Sequence, residues 1–260
     1  MQTRLYSPQH WPAWLLVGIL ALLVRLPLGA QIAVGHGLGV ALRVLGGRRA
    51  RIAMKNIELC FPEMSADERS RFSKRIFRSL GLTVMETAYT WLRPLDALLP
   101  RTSVHGLDEL NAAAAEGHGV LLVGAHFAVL DLGGAILASQ LDFDCLYRKS
   151  HNPVVEYLSL RKRNALYGEV IDRADMRTTV RQLKAGRIVW YAADQDNGKR
   201  HSVFAPFFGI PAATITVTSR LAKINDSPVV FMSHFRDTAT RTWSVHLRRL
   251  DASPCLLYTS

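Results

Sequence analysis

The stretch Val120-Leu-Leu-Val-Gly-Ala-His126-Phe-Ala-Val-Leu-Asp131-Leu-Gly-Gly134-Ala decides the fold. An apolar run of strand character, Val120 to Val123, leads into Gly124-Ala125 and ends at His126. An apolar pattern with helical spacing then starts near Ala128. A buried strand that delivers a histidine at its carboxyl end, just ahead of a helix, is a common way to build a site on an open α/β sheet. Asp131 follows five residues later. On one continuous helix that spacing would put the side chains about 140° apart. They can meet only with His126 on the turn and Asp131 in the first turns of the helix. The spacing therefore predicts a hydrogen bond between His126 and Asp131 that leaves the second ring nitrogen free as a general base.

Outward from this stretch the chain alternates. A short strand around Val104 leads to a helix over 107–116, and the opening strand at 119–125 leads to a helix over 128–140. A strand at 143–148 precedes a helix over 152–166, and one at 168–171 precedes a helix over 175–185 that stops at Gly186. A strand follows at 187–193, then a polar loop at 194–202 and a Phe/Pro-rich turn at 204–211. A helix over 213–223 and strands near 228–234 and 243–248 complete the pattern. The rhythm predicts an α/β fold: a mixed, largely parallel central sheet flanked by helices.

Residues 11–42 are the most apolar part, with Arg25 their only charged residue. The piece from Trp11 to Val24, extended to about Ala30, reaches the roughly 20 residues that span a bilayer. Trp11 and Trp14 suit an interfacial belt. Arg25 and Pro27 interrupt the run, so an inserted or re-entrant anchor and a buried core helix stay open as alternatives. Only Arg4 precedes this segment, whereas Arg43, Arg48, Arg49, Arg51 and Lys55 follow it. By the positive-inside rule the body of the protein lies on the cytoplasmic side, with the basic cluster against anionic headgroups. The expected organisation is an N-terminal membrane-anchoring helix within 1–45 and a domain over 46–260. Residues 65–93 read as an amphipathic helix with a capping box at Ser65 and Glu68. Its repeating Phe72, Ile76, Leu80 and Val84 are expected in the core, and Pro94 marks its exit. The last stretch, 253–260, carries neither a helical cap nor a charged tail, so either the chain is expected to stop early or its last few residues are not native.

Hydrophobic residues make up 49% of the 260, and the net charge is +11. Such an excess implies an anionic partner: nucleic acid, an acidic protein, a phosphorylated lipid or the membrane surface. Cys60, Cys145 and Cys255 are far apart and lack a CxxC pairing, which argues against a disulfide framework or a zinc site. There is no G-x-S-x-G elbow, P-loop or G-x-G-x-x-G fingerprint, and no H-x-x-x-H or H-E-x-x-H pair, so no cofactor and no metal are expected. Cys145 lies inside a strand without an adjacent base, which disfavours a thiol nucleophile. Polar groups instead collect at strand ends: Tyr147-Arg148-Lys149 closes one strand, and Trp190-Tyr-Ala-Ala-Asp194-Gln-Asp196 closes another. Between Arg148 and Arg200 stand 12 Lys/Arg against 6 Asp/Glu. Arg148, Arg161, Arg163 and Arg173 are therefore candidate clamps for phosphate or carboxylate, though each also suits a solvated surface. The basic residues are not interleaved with aromatics, so no nucleic-acid channel is expected.

These residues, in this order, carry a resemblance. The apolar N-terminus is followed by Arg48-Arg49, Asn56 and Cys60-Phe-Pro-Glu63, and then by Gly124-Ala-His126 with Asp131. Next come Tyr147-Arg148 with Asn152-Pro153, Asp194-Gln-Asp196, Phe204-Ala-Pro-Phe-Phe-Gly209 and Ala212-Ala-Thr214. The set resembles the late acyltransferases of lipid A biosynthesis, the HtrB-like lauroyl and myristoyl transferases, within the wider group of His-x-x-x-x-Asp/Glu acyltransferases. It runs from about Trp11 to about Leu250. Glycerol-phosphate acyltransferases usually carry Glu-Gly-Thr where this chain has Asp194-Gln-Asp196, which favours the lipid A branch.

The resemblance implies an inner-membrane enzyme that moves a fatty acyl chain from acyl carrier protein to a hydroxyacyl group of a Kdo-bearing, phosphorylated glycolipid. It casts His126 as base and Asp131 as the carboxylate that orients it. Arg148, Asn152, Arg161, Arg173, Asp194 and Asp196 become candidate substrate-binding residues. Two other readings stay open on the residues alone: an acyltransferase for another glycolipid or an ornithine-type lipid, and a non-catalytic, basic, membrane-bound lipid-binding protein.

Overall fold

A computed structural model of the protein describes residues 5–195 and 202–250. Asp196, Cys255, most of the 194–202 loop and the 253–260 segment lie outside the described residues. The chain forms two compact units, one of residues 14–94 and 204–213, the other of residues 1–13, 95–203 and 214–260.

Four helices open the chain: α1 (Trp11–Leu23), α2 (Leu28–Leu45), α3 (Gly47–Cys60) and α4 (Ala66–Leu92). The apolar run from 11 to 30 is not one helix. It breaks at residues 24–27, because Leu26 precedes a proline and is pushed out of helical geometry. Polar side chains cover the carbonyls freed there. Arg25 donates to the Ala21 carbonyl at 2.6 Å, and buried Gln31 donates to those of Val24 at 3.2 Å and Leu26 at 2.8 Å. Among the described residues, the helix long and apolar enough to cross a membrane is α2. Its 18 residues span about 27 Å, against a hydrocarbon core of about 30 Å.

Helix α4 begins as the capping box predicts. Ser65 Oγ accepts from the Glu68 N–H, and the Glu68 carboxylate accepts from the Ser65 N–H at 2.8 Å. Its buried face is not the expected one. Ile76 and Leu80 are exposed, while Ser73, Phe77, Gly81, Met85 and Ala88 are buried. The cause is close helix packing. A Cβ at Gly81 would collide with the backbone of Gly35 and Gly39 in α2, and one at Gly39 with the backbone of Phe77. Small residues let two helices meet backbone to backbone, so the seam follows the glycines rather than the largest side chains.

The second unit holds the sheet. Its elements are β1 (Thr102–His105), α5 (Leu107–Ala115), β2 (Val120–Gly124), α6 (Leu130–Ala138), β3 (Asp144–Tyr147), α7 (Pro153–Leu166), β4 (Val170–Asp172), α8 (Met176–Lys184) and β5 (Ile188–Ala192). The segment read as a Phe/Pro-rich turn is instead a separate two-stranded hairpin, β6 (Ser202–Phe207) and β7 (Ile210–Ile215), whose residues 204–213 belong to the first unit. Phe208 and Gly209 turn it at positive φ. Then follow α9 (Val217–Asn225), β8 (Val229–Asp237) and β9 (Thr242–Arg249). Seven strands form one sheet in the order β1-β9-β8-β2-β5-β3-β4. All its neighbours are parallel except β8 and β9. The mixed, largely parallel sheet expected from the alternation is therefore the observed architecture. All of β2 is buried, as a central strand covered on both faces must be.

Candidate active site

Register sets the site. Gly124 at the end of β2 is paired with Ala192 of β5 on one side and with Met232 of β8 on the other. Two residues beyond each stand His126, Asp194 and His234. Three adjacent parallel strands thus bring a histidine, an aspartate and a second histidine to one level of the sheet's carboxyl edge, where open α/β sheets collect their ligands.

Asp194 holds His126 with both oxygens. Its Oδ1 accepts from the ring Nδ1–H at 2.7 Å and its Oδ2 from the His126 backbone N–H at 2.8 Å. The two side chains are 43% and 36% exposed, so the ring stays within reach of a ligand. With Nδ1 committed as donor, the lone pair is on Nε2, the arrangement a general base needs. The carboxylate at Nδ1 is thus Asp194, not Asp131 as the five-residue spacing suggests. Asp131 does lie in the first turn of α6, as expected. There it faces α7 and forms an ion pair with Arg163 at 3.4 Å, both partners about a quarter exposed or less.

Two cavities meet at His126. The larger, about 610 Å³, is lined by His126, Tyr147, Arg148, Arg173, Trp190 and Arg220 among others. The smaller, about 220 Å³, is lined by His126, Asp131, Arg163, Tyr167, Met232 and His234 among others. Trp190, which lines both cavities, packs on Gly124, where a Cβ would come within 2.8 Å of the indole nitrogen. Burial pushes the Cys145 thiol up to about 12 and raises Tyr167 as well. Neither can supply an anionic nucleophile near neutral pH. Burial likewise lowers His234 to about 4, which keeps that ring neutral.

The sequence-predicted residues divide accordingly. His126, Asp131, Arg148 and Arg173 line one or both cavities, and Asp194 acts behind the His126 ring. Asn152 caps α7, accepting from the N–H groups of Val154 at 2.9 Å and Val155 at 3.3 Å. Arg161 is exposed on α7 and is not among the residues lining either cavity. The sequence reading missed Arg220 and His234. A usable signal existed for His234, because the strand read at 228–234 ends on a histidine just as the opening strand does. Among the described residues no three His, Cys, Asp or Glu side chains gather as a metal site.

Comparison with known proteins shows the family. The family model for bacterial lipid A biosynthesis acyltransferases matches residues 1–249. A lipid A biosynthesis lauroyltransferase of Escherichia coli (strain K12) is 39% identical over 230 residues, 88% of this chain and 75% of that protein. The palmitoleoyltransferase of the same strain is 36% identical over the same shares. A lipid A biosynthesis acyltransferase of Haemophilus influenzae is 34% identical over 220 residues, 84% of this chain and 70% of its own length.

Proposed function

The chain belongs to the bacterial lipid A biosynthesis acyltransferase family, and from that premise we propose that it transfers a fatty acyl chain from acyl carrier protein to a hydroxyacyl group of a Kdo-bearing lipid A precursor. The observation that carries this reading is the two-pronged grip of Asp194 on His126, a residue that lines both cavities. His126 Nε2 takes the proton of the acceptor hydroxyl as that oxygen attacks the thioester carbonyl. The carbonyl electrons move to oxygen, and the tetrahedral intermediate collapses by breaking the C–S bond. The leaving thiolate recovers the proton from the imidazolium. Asp194 stabilises the imidazolium and fixes its tautomer, the part a carboxylate takes in a catalytic triad. No acyl-enzyme forms, because the acceptor oxygen is itself the nucleophile. Base assistance of this kind is worth about 10²–10⁴-fold.

The guanidinium groups of Arg148, Arg173 and Arg220 around the larger cavity suit an acceptor that carries phosphates. The net charge of +11 suits an acidic carrier protein as donor. Apolar side chains of α1 and α2, among them Leu15, Leu22 and Val44, stay exposed and fit an N-terminal anchor in the inner membrane. Arg48, Arg49 and Arg51 after α2 favour the cytoplasmic face.

The test is acyl transfer by purified His126→Ala in detergent, with acylated carrier protein and phosphorylated glycolipid. The expected result is a folded protein whose transfer falls by about 10²–10⁴-fold. Near-normal transfer would end the base assignment. An acylated enzyme trapped with the acyl donor alone would end the direct-transfer scheme.

A further inference from the structure

The smaller cavity contains a group that the proposed mechanism leaves idle. His234 is 4% exposed, and among the described residues neither ring nitrogen has a hydrogen-bond partner. A buried polar atom without a partner is destabilising, so the ring is suited to a partner that a ligand brings. The fold makes deliberate room for this ring. A Cβ at Gly133 of α6 would collide with the His234 ring carbons, and Phe127 packs edge-on to the ring at 5.5 Å between centroids. The register places His234 level with His126, on the strand next to it, and both rings line the same cavity.

We propose that His234 is a catalytic hydrogen-bond donor, its ring N–H polarising the thioester carbonyl that the His126-activated hydroxyl attacks. Burial keeps the imidazole neutral, so it retains one N–H to donate and does not compete with His126 for the acceptor's proton. A neutral histidine acting as electrophile beside a separate base is an established division of labour. Negative charge forms on the carbonyl oxygen only as the new C–O bond forms. A donor held in place by packing therefore strengthens its bond in the transition state, where it lowers the barrier. The carbonyl oxygen also gives the ring's N–H the acceptor it lacks among the described residues. Leu130, Phe143 and Met232 give the same cavity an apolar stretch that suits the adjoining methylenes of the acyl chain, beside the polar groups of Asp131, Arg148 and Arg163.

This assignment rests on the direct-transfer reading, so the test runs His234 variants beside His126→Ala. Initial rates are measured over a range of acyl-donor concentrations. His234→Leu removes the donor without leaving a cavity, and His234→Gln restores an N–H of similar reach. Gly133→Ala displaces the ring without changing it. The leucine variant should lose about 10²–10³-fold in kcat, the usual value of one oxyanion donor, with KM for the donor little changed. Glutamine should recover much of that loss, and Gly133→Ala should lower kcat. Wild-type kcat in a folded His234→Leu overturns the proposal, and so does a folded His234→Gln no better than leucine. Should the leucine variant not fold, an active His234→Gln with an impaired Gly133→Ala supports the donor, and the reverse pattern overturns it. An inactive His126→Ala beside a fully active His234→Leu defeats the donor alone. An active His126→Ala defeats the base, and the donor then stands or falls on its own kcat.

Discussion

The two edges of the central sheet treat ionisable groups in opposite ways. At the amino edge, Asp144 opens β3 at 1% exposure, and each of its oxygens is used. Arg187 donates to it at 2.7 and 3.2 Å, and the Glu169 N–H donates at 2.8 Å. Arg187 also binds Asp142 at 2.8 Å, and the His118 carbonyl accepts from Ser227 Oγ at 2.7 Å. At the carboxyl edge, His126 and Asp194 are paired but partly open, and His234 is buried with no partner among the described residues. Complete satisfaction holds the strands in register at one edge, while incomplete satisfaction leaves bonding capacity at the other. Local rules of this kind are broken where function requires it.

The contrast can be broken most strongly with acid. His234 titrates near 4 in the folded protein and near 6.5 in the unfolded chain. Between those values the unfolded chain binds a proton that the folded protein refuses. Stability should therefore fall as pH drops from about 6.5 to about 4, level off below, and be unaffected above. The slope is about 1.4 kcal/mol per pH unit, so the full loss approaches about 3 kcal/mol. Denaturant unfolding of wild type and His234→Leu across this window should show the difference, with the leucine variant lacking that part of the slope. Identical pH profiles would mean that the ring is not held neutral.

Next in size is the amino edge. Asp144→Asn should cost about 2 kcal/mol, the value of charge-assisted hydrogen bonds in a pair whose arginine remains partly solvated and keeps Asp142. Its kcat, corrected for folded fraction, should equal wild type. A kcat defect at unchanged stability would erase the distinction between the edges. Smallest is Asn152→Ala, which removes a helix cap and should lower stability by about 1 kcal/mol. KM for either substrate should not move, and a raised KM would return Asn152 to the substrate-binding set.

The alternation of strands and helices could be read from the sequence because each apolar run is short and closed by a glycine, a proline or a cap. The breaks at Gly186, Ser65 and Asn152-Pro153 act through local chemistry that a sequence displays. The partner of His126 could not be read in that way. Asp194 is 68 residues away, just past the end of the next strand, and only the pairing of Gly124 with Ala192 puts the two side by side. A five-residue spacing drew attention to Asp131 instead, whose partner proved to be Arg163. The buried face of α4 was hidden for a related reason. Gly35, Gly39 and Gly81 determine how closely α2 approaches, and a search for large apolar residues passes over them.

The central claim is that Asp194 makes His126 a base. The direct measurement is kcat for acyl transfer by Asp194→Asn, an isosteric change that should leave the fold and its melting temperature intact. By the behaviour of triad carboxylates, kcat should fall by up to about 10⁴-fold and by no more than in His126→Ala, from the wrong tautomer and a poorly stabilised imidazolium. Wild-type kcat in a folded Asp194→Asn would contradict it.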